Sequence, residues 1–246
     1  SLSFIIEEGL SMTEFWDILV SVKEAAQKAN VRIVTGDTKV VEKGKGDKIF
    51  INTSGIGFVH PDANIHHNNI QPGDKIIVSG NIATHGIAIM SVRKGLEFET
   101  TIESDTVNLN HTIEKLVDQF GCNIKFLRDP TRGGVASVLN EIAELTALGF
   151  ELEQKQIPVD EQVEGACEML GLDPLYVANE GLFIAVVAKE IADRFLSVLR
   201  NDENGKNAAI IGEVNTDHPK KVLLKSRIGG RRVVNYLPGE QLPRIC

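Results

Sequence analysis

Cysteine is scarce in this chain: three residues, Cys122, Cys167 and Cys246, in 246. They are too few and too scattered for a disulfide framework, so a reducing, cytoplasmic compartment fits best. No apolar run approaches the roughly 18 residues that a membrane span needs, and no charged-then-apolar leader is visible before Ser1. A basic excess is missing too. Lys and Arg number 26 against 34 Asp and Glu, a formal charge of −8, and aromatics make up 5%. Without a basic stripe or interleaved aromatics, nucleic acid is not expected as a partner. Any phosphate ligand must be held by local groups instead. What remains, 42% hydrophobic and 24% charged, suits a soluble protein with a sizeable core in one or two domains.

Periodicity supplies the elements. Phe4 to Ile6 reads as a strand, and Ser11-Met-Thr-Glu14 as a capping box opening an amphipathic helix over 12–29. Strands are expected at Val31–Val34, running into Gly36-Asp-Thr-Lys39, and at Lys48–Val59. The polar stretch from His60 to Gly73 reads as a connection. Its three histidines invite a metal, but no further ligand stands at regular spacing, and a solvated loop is the plainer account. A second unit follows. Its expected strands are Lys75–Ser79, Ile124–Leu127, Phe150–Gln154, Leu182–Val187 and Ala208–Ile211. Gly80–Gly86 reads as a loop, with helices over Ile87–Arg93, 107–120, up to Leu148, Val163–Leu170 and Ile191–Leu199. Without a regular βαβ alternation the class is α+β, with mixed sheets covered by helices on one face.

Four stretches carry chemistry. In Gly36-Asp37-Thr38-Lys39, Asp37 can hold Mg²⁺ and Lys39 can meet a phosphate or developing negative charge; the same residues also make an ordinary turn. In Arg128-Asp-Pro-Thr-Arg-Gly-Gly134, Pro130 keeps Asp129 out of the helical region and Thr131 can cap. Gly133 and Gly134 then occupy a first helical turn, where a ligand on the helix N-terminus or tight packing would each account for them. Glu180, after Asn179 and before the apolar strand, is a partly desolvated acid/base candidate or a solvated strand-entry residue. His85, in Thr84-His-Gly86, is a phosphate contact, a base or a structural histidine. Cys122 and Cys167, with apolar neighbours, read as packing. The C-terminal run Tyr236-Leu-Pro-Gly-Glu-Gln-Leu-Pro-Arg-Ile-Cys246 carries Pro238 and Pro243 and reads as an extended arm. Its last nine residues can span ~30 Å, with a thiol at the tip.

Together, Phe4-Ile-Ile-Glu-Glu-Gly9, Val34-Thr-Gly-Asp-Thr-Lys39, Asp129-Pro-Thr-Arg-Gly-Gly-Val135, Ala178-Asn-Glu-Gly181, Ile211-Gly-Glu-Val214 and the Leu242-Pro-Arg-Ile-Cys246 end resemble the HypE family. These are [NiFe]-hydrogenase maturation factors in the aminoimidazole ribonucleotide synthetase (PurM-like) superfamily. The resemblance implies a carbamoyl group placed on Cys246 by a HypF-type carbamoyltransferase. An ATP-dependent dehydration to a thiocyanate follows, and the cyanide passes through a HypC–HypD complex to the hydrogenase iron. It further implies Asp37 and Asp129 on Mg²⁺–ATP, and Thr38, His85, Thr131, Arg132, Gly133, Gly134 and Asn179 around the nucleotide. Lys39 would stabilise charge and Glu180 would take the proton. A homodimer is implied as well. A further N-terminal portion of the family has no counterpart here, so the resemblance implies a truncated chain. That leaves a non-catalytic carrier of the thiol as an alternative, beside other ATP-using members such as selenophosphate synthetase and thiamine-phosphate kinase. The expected domains are 1–71, 72–225 and a tail, 226–246.

Overall fold

The computed structural model describes residues 1–94 and 102–236. The arm beyond Tyr236, with Cys246, lies outside the described residues. The chain divides into two compact units, Ser1–His60 and Pro61–Cys246.

The first unit is a three-stranded sheet and one helix: β1 (Leu2–Glu7), α1 (Met12–Lys28), β2 (Gly36–Val41) and β3 (Ile49–Thr53). β1 is central, parallel to β2 and antiparallel to β3. The capping box forms as expected: Ser11 Oγ accepts from the Glu14 N–H at 3.1 Å, and the Glu14 carboxylate accepts from the Ser11 N–H at 3.3 Å. Phe15 of α1 meets Phe4 edge-on at 5.4 Å, and Phe4 is the one buried side chain of this unit. Two strand expectations change. Val31–Val34 is not a strand, because the parallel register that pairs Leu2 with Gly36 starts β2 after it. Lys48–Val59 shortens to β3, since β1 offers partners only as far as Thr53; Ile56 and Phe58 beyond it are fully exposed.

In the second unit the elements run β4 (Lys75–Val78), α2 (Thr84–Lys94), α3 (Asn110–Phe120), β5 (Ile124–Arg128), α4 (Gly134–Thr146), β6 (Gly149–Glu153), α5 (Glu161–Leu170), β7 (Ile184–Val187), α6 (Ala192–Arg200), β8 (Ala209–Asn215), β9 (Val222–Lys225) and β10 (Arg231–Val234). They build a seven-stranded sheet of order β10-β9-β6-β8-β4-β7-β5. Neighbours are antiparallel except β6 and β9, so the sheet is mixed and the class α+β.

Helices cover both faces of this sheet, not one. Strands β4 and β7 are apolar at every position after Lys75, and successive side chains point to opposite faces, so each side requires a cover. Ile76, Val78, Ile184 and Val186 join α2, α4 and α5 in one core. Ile77, Ala185 and Val187 join α3 and α6 in the other. The segment before β4 packs here as well: the His66 N–H donates to the Lys125 carbonyl at 3.0 Å and Ile70 is buried. At the C-terminal end the expected tail is shorter than 226–246. β10 closes the sheet edge, Val234 is fully buried, and its carbonyl accepts from Asn140 Nδ2 at 3.0 Å. No helix among the described residues is long and apolar enough to cross a membrane.

Candidate active site

Two helix N-termini in the second unit are set by one short segment, Asp173–Gly181. The Asp173 carboxylate accepts from the Leu175 N–H at 3.0 Å and starts a 3-10 turn over Pro174–Tyr176. The chain then passes between the first turns of α2 and α4. A Cβ on Gly134 would stand 2.6 Å from the carbonyl oxygens of Leu175 and Val177, and Gly134 has φ +60°. Gly86 would likewise collide with Val177, and its N–H donates to the Ala178 carbonyl at 3.0 Å. Gly134 is therefore accounted for by close packing, though against this turn and not the sheet.

Asn179 locks the arrangement. Its Oδ1 accepts from the Ala83 N–H at 2.7 Å, and its Nδ2 donates to the carbonyls of Pro130 at 2.9 Å and Val177 at 3.0 Å. The side chain is fully buried. With both ends of its amide taken by backbone groups, it positions the α2 entry, where Ala83 has φ +73°, and the start of the 130–134 loop. Thr131 does not cap α4 with its side chain. Gly133 is the N-cap, in the left-handed region at φ 69°, and the Gly134 N–H donates to the Thr131 carbonyl at 3.1 Å. Asp129 and Arg132 are exposed and Thr131 is half-buried. A loop of this kind leaves first-turn N–H groups of α4 for an anion.

His85 lies in the first turn of α2, which begins three residues earlier than expected. It is buried, with Nδ1 2.8 Å from Ser104 Oγ. Sequence reasoning missed the Ser104-Asp105-Thr106 stretch, whose polar run ahead of α3 resembles an ordinary helix approach. Asp105 Oδ1 accepts from the Glu180 N–H at 3.1 Å. Burial pushes the Asp105 carboxyl above its usual range, against the Glu180 N–H and the nearby His85, which pull it down. A Cβ on Gly181 would overlap the Asp105 carbonyl, so this glycine serves a backbone contact. Contacts to the backbone thus link three segments of the second unit: the start of α2 with His85, the loop from Asp129 to Gly134 that carries Thr131, Arg132 and Gly133, and the turn with Asn179 and Glu180.

Asp37, Thr38 and Lys39 lie in the first unit, within β2 and not at a strand end. Gly36 is extended there, and a Cβ on it would meet the Leu2 carbonyl. Alternation puts Asp37 and Lys39 on one face and Thr38 on the other, so Thr38 does not converge with its neighbours. All three are exposed. Among the described residues no three His, Cys, Asp or Glu side chains gather into a metal site. His66 instead caps a turn, its Nδ1 accepting from the Asn68 N–H at 3.1 Å. A magnesium ion here fits only as one held by one or two carboxylates and completed by phosphate oxygens and water. Of the cysteines, Cys167 is buried and its thiol is pushed up to about 11 by burial, then by Asp173 and Glu164. Cys122 is exposed in a turn, which corrects its reading as packing.

The sequence matches the family described as AIR synthase related protein, its N-terminal domain over residues 1–59 and its C-terminal domain over 71–225. The carbamoyl dehydratase HypE of Bradyrhizobium diazoefficiens is 48% identical over 246 residues, all of this chain and 71% of that protein. This chain belongs to the HypE carbamoyl dehydratase family. Among solved HypE structures, one in complex with ATP superposes with a TM-score of 0.94 at 44% identity, over all of this chain and 74% of that one. HypE in a HypE–HypF complex gives 0.92 at 47%, over 96% of this chain and 76% of that one.

Proposed function

We propose that this member of the HypE family dehydrates a thiocarboxamide carried on its own Cys246 to a thiocyanate, using ATP. ATP as a ligand and HypF as a partner are carried over from the solved HypE complexes, and the carbamoyl-donor role of HypF is what the family resemblance implies. What supports the reading in this chain is one gathering: the glycine-opened N-terminus of α4, Asp129 and Arg132 beside it, and Glu180 across the Asn179 link. Cyanide delivery through HypC–HypD and a homodimer belong to the same proposal.

An amide oxygen is a poor leaving group, and bound ATP with Mg²⁺ supplies the phosphoryl group that turns it into a good one. The chain's residues do the rest. The first-turn N–H groups that Gly133 opens at the start of α4, the Thr131 hydroxyl and the Arg132 guanidinium would hold phosphate oxygens, while Gly134, its own N–H taken by the Thr131 carbonyl, sets the turn. Asp129 would be a carboxylate suited to the metal, and the resemblance implies a second in Asp37 of the first unit. Lys39 would balance charge on the activated oxygen. Reaching S–C≡N requires both amide N–H protons to leave; one would pass to solvent as the oxygen is activated. Glu180 takes the second as the C–O bond breaks, so that inorganic phosphate departs and S–C≡N remains.

Intact mass of the C-terminal peptide tests this, after incubation with a carbamoyltransferase, carbamoyl phosphate and ATP–Mg²⁺. A carbamoyl adduct on Cys246 that then loses water is the expected result. An adduct that stays hydrated would make the chain a carrier of the thiol instead.

A further inference from the structure

The Asp105 carboxylate sits on the main chain of the proposed base. Its Oδ1 takes the Glu180 N–H at 3.1 Å. The two segments are also locked backbone to backbone, because Gly181 leaves the space that the Asp105 carbonyl fills. The second oxygen, Oδ2, is buried and has no hydrogen-bond partner among the described residues. Such an oxygen is costly, so the contacts that the other oxygen makes must offset that cost. Around it stand His85 from α2, held by Ser104, and Glu180 itself.

We propose that Asp105 is a positioning residue for Glu180: it fixes the Glu180 peptide, and so the direction in which the Glu180 side chain leaves the turn toward the amide nitrogen. This rests on the reading of Glu180 as the base. Side-chain direction at a general base is where small displacements are felt, since misplacement by about 1 Å can cost on the order of 100-fold in rate. Because the Gly181–Asp105 backbone contact does not depend on the side chain, truncating Asp105 leaves the segment docked and removes only the carboxylate.

The experiment is single-turnover dehydration of the carbamoylated tail in the intact protein, for wild type, Asp105→Ala, Asp105→Asn, Glu180→Gln and the double variant Asp105→Ala/Glu180→Gln. Asp105→Ala is expected to slow dehydration roughly 10- to 100-fold, with carbamoylation of Cys246 and ATP affinity unchanged. Asp105→Asn keeps an oxygen for the Glu180 N–H and should stay within about threefold of wild type. The double variant should be no slower than Glu180→Gln, since a positioning residue has nothing left to position. Should Asp105→Ala fail to fold, Asp105→Leu, which fills the space without an acceptor, carries the test. Normal dehydration in Asp105→Ala beside a slow Glu180→Gln would overturn this proposal alone. A double variant slower by the full Asp105 factor, or an equal loss of ATP affinity, would do the same. A normal rate in Glu180→Gln would overturn the base assignment and this proposal with it.

Discussion

Asn179 is the residue on which two helix starts depend. Replacing it with alanine strands the Ala83 N–H in the core and removes two donors from backbone carbonyls. Asn179→Ala is expected to cost about 2–3 kcal/mol, read as a lower urea midpoint with an unchanged slope. Asp105 has the opposite sign at neutral pH. Its folded pKa is raised, so between the ordinary aspartate value of about 3.9 and that raised value the folded state holds the extra proton. Stability therefore falls as pH rises through that window. Asp105→Asn should be at least as stable as wild type at pH 7, and the gain should vanish below pH ~4; thermal midpoints across pH would show it. Both residues were hard to judge from sequence for the same reason. Asn179 stood out beside Glu180, but its partners Ala83 and Pro130 are 96 and 49 residues away. Asp105 went unnoticed because its partner lies 75 residues on. Asp129, His85 and Glu180 stand out in the sequence as candidates because residue type and a neighbouring proline or glycine mark them locally.

Among the elements, helices were read well because their signals are local. The α1 capping box and the periodic apolar residues of α3 each lie within a few turns, whereas the Asp160 cap, accepting from the Gln162 N–H at 3.0 Å, starts α5 two residues ahead of the expected Val163. Strands were read less well, since a strand's ends are decided by its partner. Val31–Val34 has β-branched residues at three of four positions but no partner. The strands β9 and β10, four residues each with basic residues at their ends, show too little alternation to be seen. Two glycines separate packing from helix propensity. Gly134→Ala, at positive φ and against two carbonyls, should destabilise by about 2 kcal/mol or more. Gly165→Ala, inside α5 and facing open space, should stabilise by about 0.5–1 kcal/mol. Differential scanning calorimetry would resolve the pair. Asp202 ties α3 to the turn after α6, accepting from Thr112 Oγ1 at 2.7 Å and pairing with Lys115 at 3.1 Å. Burial opposes its charge, but the hydrogen bonds from Thr112, Lys115 and the Asn204 N–H outweigh it and lower its pKa. Asp202→Asn should cost about 1–3 kcal/mol at pH 7. That cost is expected to fade as pH drops below ~3.9, where wild type loses the same charge.

At the scale of the whole molecule, the two units differ in how much they bury. The second has a double core around one sheet; the first buries Phe4 alone. Hydrogen exchange in this chain should therefore run on the order of 100-fold faster in β1–β3 than in β4 and β7. Equal protection in both would contradict that account. The strand order carries a consequence for synthesis. β8 lies between β6 and β4, yet it is among the last strands to leave the ribosome. Until residues 209–215 emerge, β6 on one side and the β4-β7-β5 group on the other each present a bare edge, with nothing to join them. The nascent chain must carry open edges from the completion of β6 at Glu153 until β8 emerges, which exposes it to mispairing and makes it a natural client for chaperones. Chains stalled before residue 209 should stay sensitive to protease throughout this unit, and release past residue 234 should close it in one step.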